Sequence, residues 1–193
     1  MDVKNKVIGF ALTGSFCTLE KAVAQIKKLT DAGAEVIPMA TESVLTTDTR
    51  FGKAADWIES IESITNKKIW SSITQTEPIG PQSLLDILIV APCTGNTLAK
   101  IALGITDNAV MLAIKAQLRN SKPVLIAVST NDGLANNAKN IGALQAKRDI
   151  FFVPYTQDDP IKKPNSLVAV MDALLPAAEC ALEHKQLQPM LYK

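Results

Sequence analysis

Between Ile87 and Val110 the chain reads ILIVAPCTGNTLAKIALGITDNAV. An apolar run stops at Ala91, and Pro92, Cys93, Thr94, Gly95, Asn96 and Thr97 follow before a helical pattern resumes. A helix cap needs one Ser, Thr or Asn. This turn supplies Thr94, Asn96 and Thr97 around a glycine, and the surplus of hydrogen-bonding groups suits a polar ligand, although turn chemistry accounts for any one of them. A second turn, TGSFCT from Thr13 to Thr18, places the flexible Gly14 and the hydroxyls of Ser15 and Thr18 before a helix. Free N–H groups and the positive end of a helix dipole suit a phosphate there. No GxGxxG or Walker pattern is present, so simple capping by Ser15 or Thr18 explains the turn equally well. In TTDTRFGKAADWI, Arg50 and Lys53 could clamp a carboxylate, which a guanidinium takes bidentately, or could be solvated charges at a helix start. Cys17 and Cys93 lie in two of these turns, where a thiol can become reactive, but neither has a histidine nearby in sequence. The sole histidine, His184, sits at the end of the chain's last helical pattern, a place where histidines are usually solvated.

These turns must be held by the elements around them. Val7 to Leu12 is an apolar run, and Leu19, Ala22, Val23, Ile26 and Leu29 recur at helical spacing up to Gly33. EVIPMA from Glu35 predicts a second strand, AADWIESIESI a second helix, and Ile87 to Ala91 a third strand. A short helix to Leu103 follows, then a helix from about Asn108 to Leu118 with Asp107 as N-cap. PVLIAVST and IFFVPY predict two more strands flanking a helix near Ala135 to Ala146, and a last helix covers about Leu167 to His184. Apolar strands alternating with amphipathic helices predict an α/β fold, a three-layer αβα sandwich around a parallel Rossmann-like or flavodoxin-like sheet. In such a sheet ligands gather beyond the carboxyl ends of the strands, where the turns above fall.

At 193 residues the chain is long enough for one domain with a full core, taken here as 1–193. With 20 Lys and Arg against 19 Asp and Glu, no excess of charge points to nucleic acid or an anionic membrane surface. Hydrophobic residues make up 47%, enough for a sheet covered on both faces plus apolar surface buried between protomers, so a homo-oligomer is expected. No run approaches the roughly 18 apolar residues of a membrane span. The first six residues are too polar to begin a signal peptide, and a cytoplasmic protein is expected. Three widely spaced cysteines, Cys17, Cys93 and Cys180, suit reduced thiols, with no metal site.

Taken with GITDNAV, the opening stretch resembles the P-A-S-x-N-T and D-N-L-type motifs of the homo-oligomeric flavin-containing cysteine decarboxylase superfamily. Pro92, Asn96, Thr97, Asp107 and Asn108 match, while Cys93, Thr94 and Ala109 replace Ala, Ser and Leu. In AVSTNDGLANNAKNIGAL, where the family carries a P-x-M-N substrate motif, Asn131 matches and Val128 and Thr130 depart. The resemblance implies FMN. Gly14, Ser15 and Thr18 would meet its phosphate, and Thr94, Asn96, Thr97, Asp107 and Asn108 would surround the rest, at sites between protomers of a trimer-based assembly. It also implies a small dicarboxylate substrate held by Arg50, Lys53 and Asn131, with Arg50 and Asn131 as the catalytic candidates. Family decarboxylases rely on an active-site histidine that these turns lack. Nearly the whole chain is similar to a branch from sporulating Gram-positive bacteria. In that branch a flavoprotein-like B subunit and an NAD(P)-dependent A subunit together perform an oxidation in the mother-cell cytoplasm. A flavin-free scaffold for the A subunit and an FMN-dependent decarboxylase remain the alternatives.

Overall fold

The computed structural model describes residues 2–192; Met1 and Lys193, the ends of the range taken as one domain, lie outside it. Strands β1 (Val7–Leu12), β2 (Glu35–Ala40), β3 (Ile87–Cys93), β4 (Val124–Thr130) and β5 (Ile150–Phe152) pair in parallel in the order β2-β1-β3-β4-β5. Each is buried over nearly its whole length. That is why they read as continuous apolar runs instead of alternating ones.

Two helical layers cover the sheet. The helices between strands are α1 (Leu19–Asp31), α2 (Glu42–Thr46), α3 (Ala54–Thr65), α4 (Ile73–Thr76), α5 (Ile79–Gln82), α6 (Gly95–Leu103), α7 (Ala109–Arg119) and α8 (Ala138–Gln145), and α9 (Leu174–Leu182) follows the last strand. One face packs Ile8, Phe10 and Leu12 of β1 against Leu19, Ile26 and Leu29 of α1, Ile61 of α3 and Leu174 of α9. The other packs Leu88 and Val90 of β3 against Leu98 of α6, Val110 and Ile114 of α7, and Ile141 and Leu144 of α8. The expected α/β sandwich with its mainly parallel sheet is therefore observed, and the turns that leave β1 to β4 gather at one carboxyl edge.

Three local differences have simple causes. IFFVPY is not one strand: β5 ends at Phe152, and β6 (Tyr155–Thr156) turns away to pair antiparallel with β7 (Leu167–Ala169). β7 also pairs antiparallel with Ser129 and Thr130 at the end of β4, so Leu167 begins a strand and the last helix starts only at Leu174. Asn108, not Asp107, is the N-cap of α7, its Oδ1 accepting from the Met111 N–H at 3.0 Å.

Candidate functional site

The strand order reverses between β1 and β3, so the loops leaving these two neighbours diverge onto opposite faces and open a crevice at the carboxyl edge. A cleft of about 460 Å³ lies there. It is lined by Thr13 and Gly14 after β1, by Thr41, Glu42 and Ser43 after β2, and by Thr94, Asn96, Thr97, Lys100, Asp107 and Asn108 after β3. A second hollow of about 340 Å³ shares Thr41, Glu42, Asp107 and Asn108 and adds Leu45, Ile73 and Ala109. Together they offer a polar end and a more apolar end, the usual make-up of a site for an organic cofactor.

The two principal loops are tied together by one side chain. Thr13, 1% exposed, donates its hydroxyl proton to the Pro92 carbonyl at 2.7 Å and accepts from the Thr94 N–H at 3.0 Å. The strand register shifts between Val90 and Cys93, so the chain around the cis Ala91–Pro92 peptide lacks its regular ladder partners and the threonine supplies them. Thr94 then caps α6: its Oγ1 accepts from the Thr97 N–H at 3.3 Å and lies 3.1 Å from the Thr97 hydroxyl. Asn96 is exposed on the first turn of α6 and faces the cleft.

Lys100 and Asp107 form an ion pair, and the Asn108 amide donates to the other Asp107 oxygen at 2.9 Å. The hydrogen bond from Lys100, chiefly, holds the Asp107 carboxyl below its ordinary range. Across the cleft, Gly14 meets α2 so closely that a Cβ there would lie 2.8 Å from the Ser43 hydroxyl. Thr41 and Ser43, 3.0 Å apart through their hydroxyls, are lining residues that the sequence did not single out, as are Glu42, Lys100, Val110 and Met111.

Other expected site residues sit elsewhere. Ser15, Thr18 and Ser129 form a triangle of hydroxyls, 2.8 to 3.1 Å apart, beneath the first loop, and neither Ser15 nor Thr18 lines the cleft. Arg50 and Lys53 are exposed beyond α2, the Arg50 guanidinium 4.8 Å from the ring centre of Phe51, and line neither hollow. Asn131 is exposed at the end of β4 and lines neither. His184 is at the amino edge, its Nδ1 2.8 Å from Asp149, a carboxylate only 7% exposed. A hollow of about 570 Å³ opens beside this pair, away from the cleft and its turns. Cys93 is fully buried, which pushes its thiol far up and keeps it protonated. Among the described residues no cluster of metal-ligating side chains exists, and no helix is long and apolar enough to cross a membrane.

Comparisons with known proteins agree with the fold. The family model described as Flavoprotein matches residues 1–176. The dipicolinate synthase B subunit from Bacillus subtilis (strain 168) is 49% identical over 189 residues, covering 98% of this chain and 94% of that protein. The crystal structure of the dipicolinate synthase B subunit from Bacillus halodurans C superposes with a TM-score of 0.92 at 46% identity, over 100% of this chain and 99% of that one. The FMN-dependent cysteine decarboxylase SpaF shares the fold, with a TM-score of 0.66 at 20% identity over 93% of this chain and 98% of that one. The chain belongs to the Flavoprotein family, alongside the dipicolinate synthase B subunits.

Proposed function

We propose that the chain is the B subunit of a dipicolinate synthase. It binds FMN and acts with the dipicolinate synthase A subunit to convert a dihydrodipicolinate-branch intermediate to dipicolinic acid during sporulation, in the mother-cell cytoplasm. The observation that carries this is the near full-length match to the B subunit from Bacillus subtilis. The net reaction is an oxidation, which makes the assembly an oxidoreductase, and NAD(P) would enter through the A subunit.

The residues of the cleft fit FMN. The hydroxyls of Thr41 and Ser43, 3.0 Å apart, line the cleft beside the bare backbone of Gly14, and neutral donors of this kind suit a phosphate. The N-termini of α6 and α7 are less suited to it, since Asp132 stands against the first and Asp107 beside the second. The Ser15–Thr18–Ser129 triangle then supports the loop from below, its hydroxyls satisfying one another. A side-chain amide carries both a donor and an acceptor, as the edge of an isoalloxazine does, which suits Asn96 to the ring or ribityl chain. When bound, the flavin would supply a hydride acceptor. The chain's part is to orient it and to set the charge around it.

A decarboxylase of the family's histidine-dependent kind finds less support, because the sole histidine lies across the sheet, bonded to Asp149. The substrate is taken to be a small dicarboxylate. Arg50, Lys53 and Asn131 line neither hollow within one protomer, and a trimer-based homo-oligomer with flavin sites between protomers would let such loops meet a neighbour's cleft.

The test is direct. The purified protein should carry flavin absorbance, and the stripped protein should regain it on titration with FMN. A colourless protein that FMN does not bind would leave the flavin-free scaffold as the function. A monodisperse monomer by light scattering at micromolar concentration would remove the shared-site arrangement.

A further inference from the structure

The residue after Asn131 is bonded more extensively than Asn131 itself. The Asp132 carboxylate accepts from the Thr130 hydroxyl and receives the Asn137 amide on both oxygens at 2.9 Å, while its carbonyl accepts from the N–H groups of Ala135 and Asn137. Asn137, 6% exposed, accepts in turn from the Asn140 amide at 2.8 Å. This knot rests on the first residue of α6. A Cβ on Gly95 would lie 2.5 Å from Asn137 Nδ2, 2.6 Å from Thr130 Oγ1 and 2.9 Å from Asp132 Oδ1, distances that real side chains do not tolerate. Glycine is therefore required by contact here, not by backbone angle. Asn96 and Asn131 flank the contact, one residue along from Gly95 and one residue before Asp132, and no hydrogen bond within the chain engages either side chain among the described residues.

We propose that Asp132 is a positioning residue: its carboxylate, braced by Thr130 and Asn137 and seated on Gly95, locks the loop after β4 to the first turn of α6 and so holds Asn96 toward the ligand of the cleft. The placement of a carboxylate at the positive end of α6 favours the lock electrostatically. The ligand in question is the flavin of the proposed function, and the inference rests on that reading for its binding arm only.

The experiment compares wild type, Asp132→Ala, Asp132→Asn, Gly95→Ala and the Asp132→Ala/Gly95→Ala double variant. Two readouts are used: FMN affinity of the stripped protein, and hydrogen exchange of the ligand-free backbone amides at residues 95–98. Asp132→Ala should weaken FMN at least tenfold and raise exchange at those amides, while strands β1 and β3 keep their protection. Asp132→Asn, which keeps an acceptor for the Asn137 amide, should lie between. Because both substitutions disturb one contact, the double variant should bind FMN little worse than Gly95→Ala alone. Unchanged exchange together with unchanged FMN affinity in Asp132→Ala would overturn the proposal. If wild type binds no FMN, the flavin reading fails on its own and the exchange readout decides the lock. If Asp132→Ala does not fold, Asp132→Asn decides it by the same two measurements.

Discussion

The Thr13 hydroxyl and the Thr94 N–H, 81 residues apart, meet at 3.0 Å, and the same hydroxyl donates to Pro92. One buried side chain thus holds the loops after β1 and β3 in register where no strand ladder does so. Replacing Thr13 with Val keeps the shape and removes both bonds, leaving the partly buried Thr94 N–H and the buried Pro92 carbonyl unpaired. The loss should be roughly 1–3 kcal/mol, which in a chain of this size lowers the melting temperature by about 2–4 °C per kcal/mol. Thr13→Ser should retain most of the stability. Equal unfolding curves for wild type and Thr13→Val would show that the loops are fixed by other contacts.

Ser43 is exposed, so its substitution by Asp should leave the fold intact while placing a carboxylate beside Gly14. A fixed negative charge there repels a phosphate dianion. FMN retention should be abolished in Ser43→Asp and kept in Ser43→Thr. Retention in both would move the phosphate away from Gly14, with the Ser15–Thr18–Ser129 triangle as the next place to probe.

Asn96→Ala should weaken FMN without weakening the fold, because the side chain is exposed and makes no bond within the chain that α6 needs. Loss of its hydrogen bonds to a flavin should cost roughly 1–3 kcal/mol, or about 5- to 150-fold in affinity. If Asn96 only shapes the turn, melting of the ligand-free protein would fall instead. Titration and melting curves side by side separate the two outcomes.

The sheet was legible in the sequence because parallel strands buried on both faces leave uninterrupted apolar runs, and the carboxyl-edge turns followed from where such runs end. β7 was hidden. Leu167–Ala169 has three residues and lies just before the apolar Leu174–Leu182, so no period distinguishes strand from helix there. At the site, the turn from Thr94 to Thr97 announced itself by a surplus of polar side chains. Thr41 and Ser43 follow β2 just as directly and carried the same signal, but the short helix α2 has too few residues to show periodicity. Arg50 and Lys53, expected as a carboxylate clamp, lie beyond α2, which separates them from the end of β2. Asn131 matches as a motif residue, whereas the bonding falls on Asp132, and only the contact with Gly95 reveals why.

Asp107 bears on how binding should respond to pH. Lys100 holds its carboxyl below the ordinary 3.8, so in the folded chain it stays charged throughout the mildly acidic range. A depressed carboxyl contributes stability that is present above the unfolded value and is lost only as pH falls through the folded one. Its titration therefore lies below the range in which binding would be measured. The phosphate of FMN takes up its second proton near pH 6, about the value for phosphate esters. Affinity should fall as pH drops from about 7 to 5, and Asp107→Asn should show the same fall. A fall present in wild type and absent in Asp107→Asn would assign the dependence to the protein.

His184 offers the sharpest separation of structure from function. Its ring is half-exposed and bonded at 2.8 Å to Asp149, whose other oxygen has, among the described residues, only the exposed Arg148 at 3.7 Å. Removing the imidazole in His184→Ala leaves a buried carboxylate underpaired at the start of β5, a loss of roughly 1–3 kcal/mol in unfolding free energy. The cleft lies at the far ends of the strands, roughly 20 Å away along a strand of about six residues at about 3.3 Å per residue. FMN affinity should therefore stay within about twofold of wild type while the denaturation midpoint falls. The opposite pattern, intact stability with lost FMN binding, would place the histidine at a ligand, and a site shared between protomers would be the only arrangement able to bring it there.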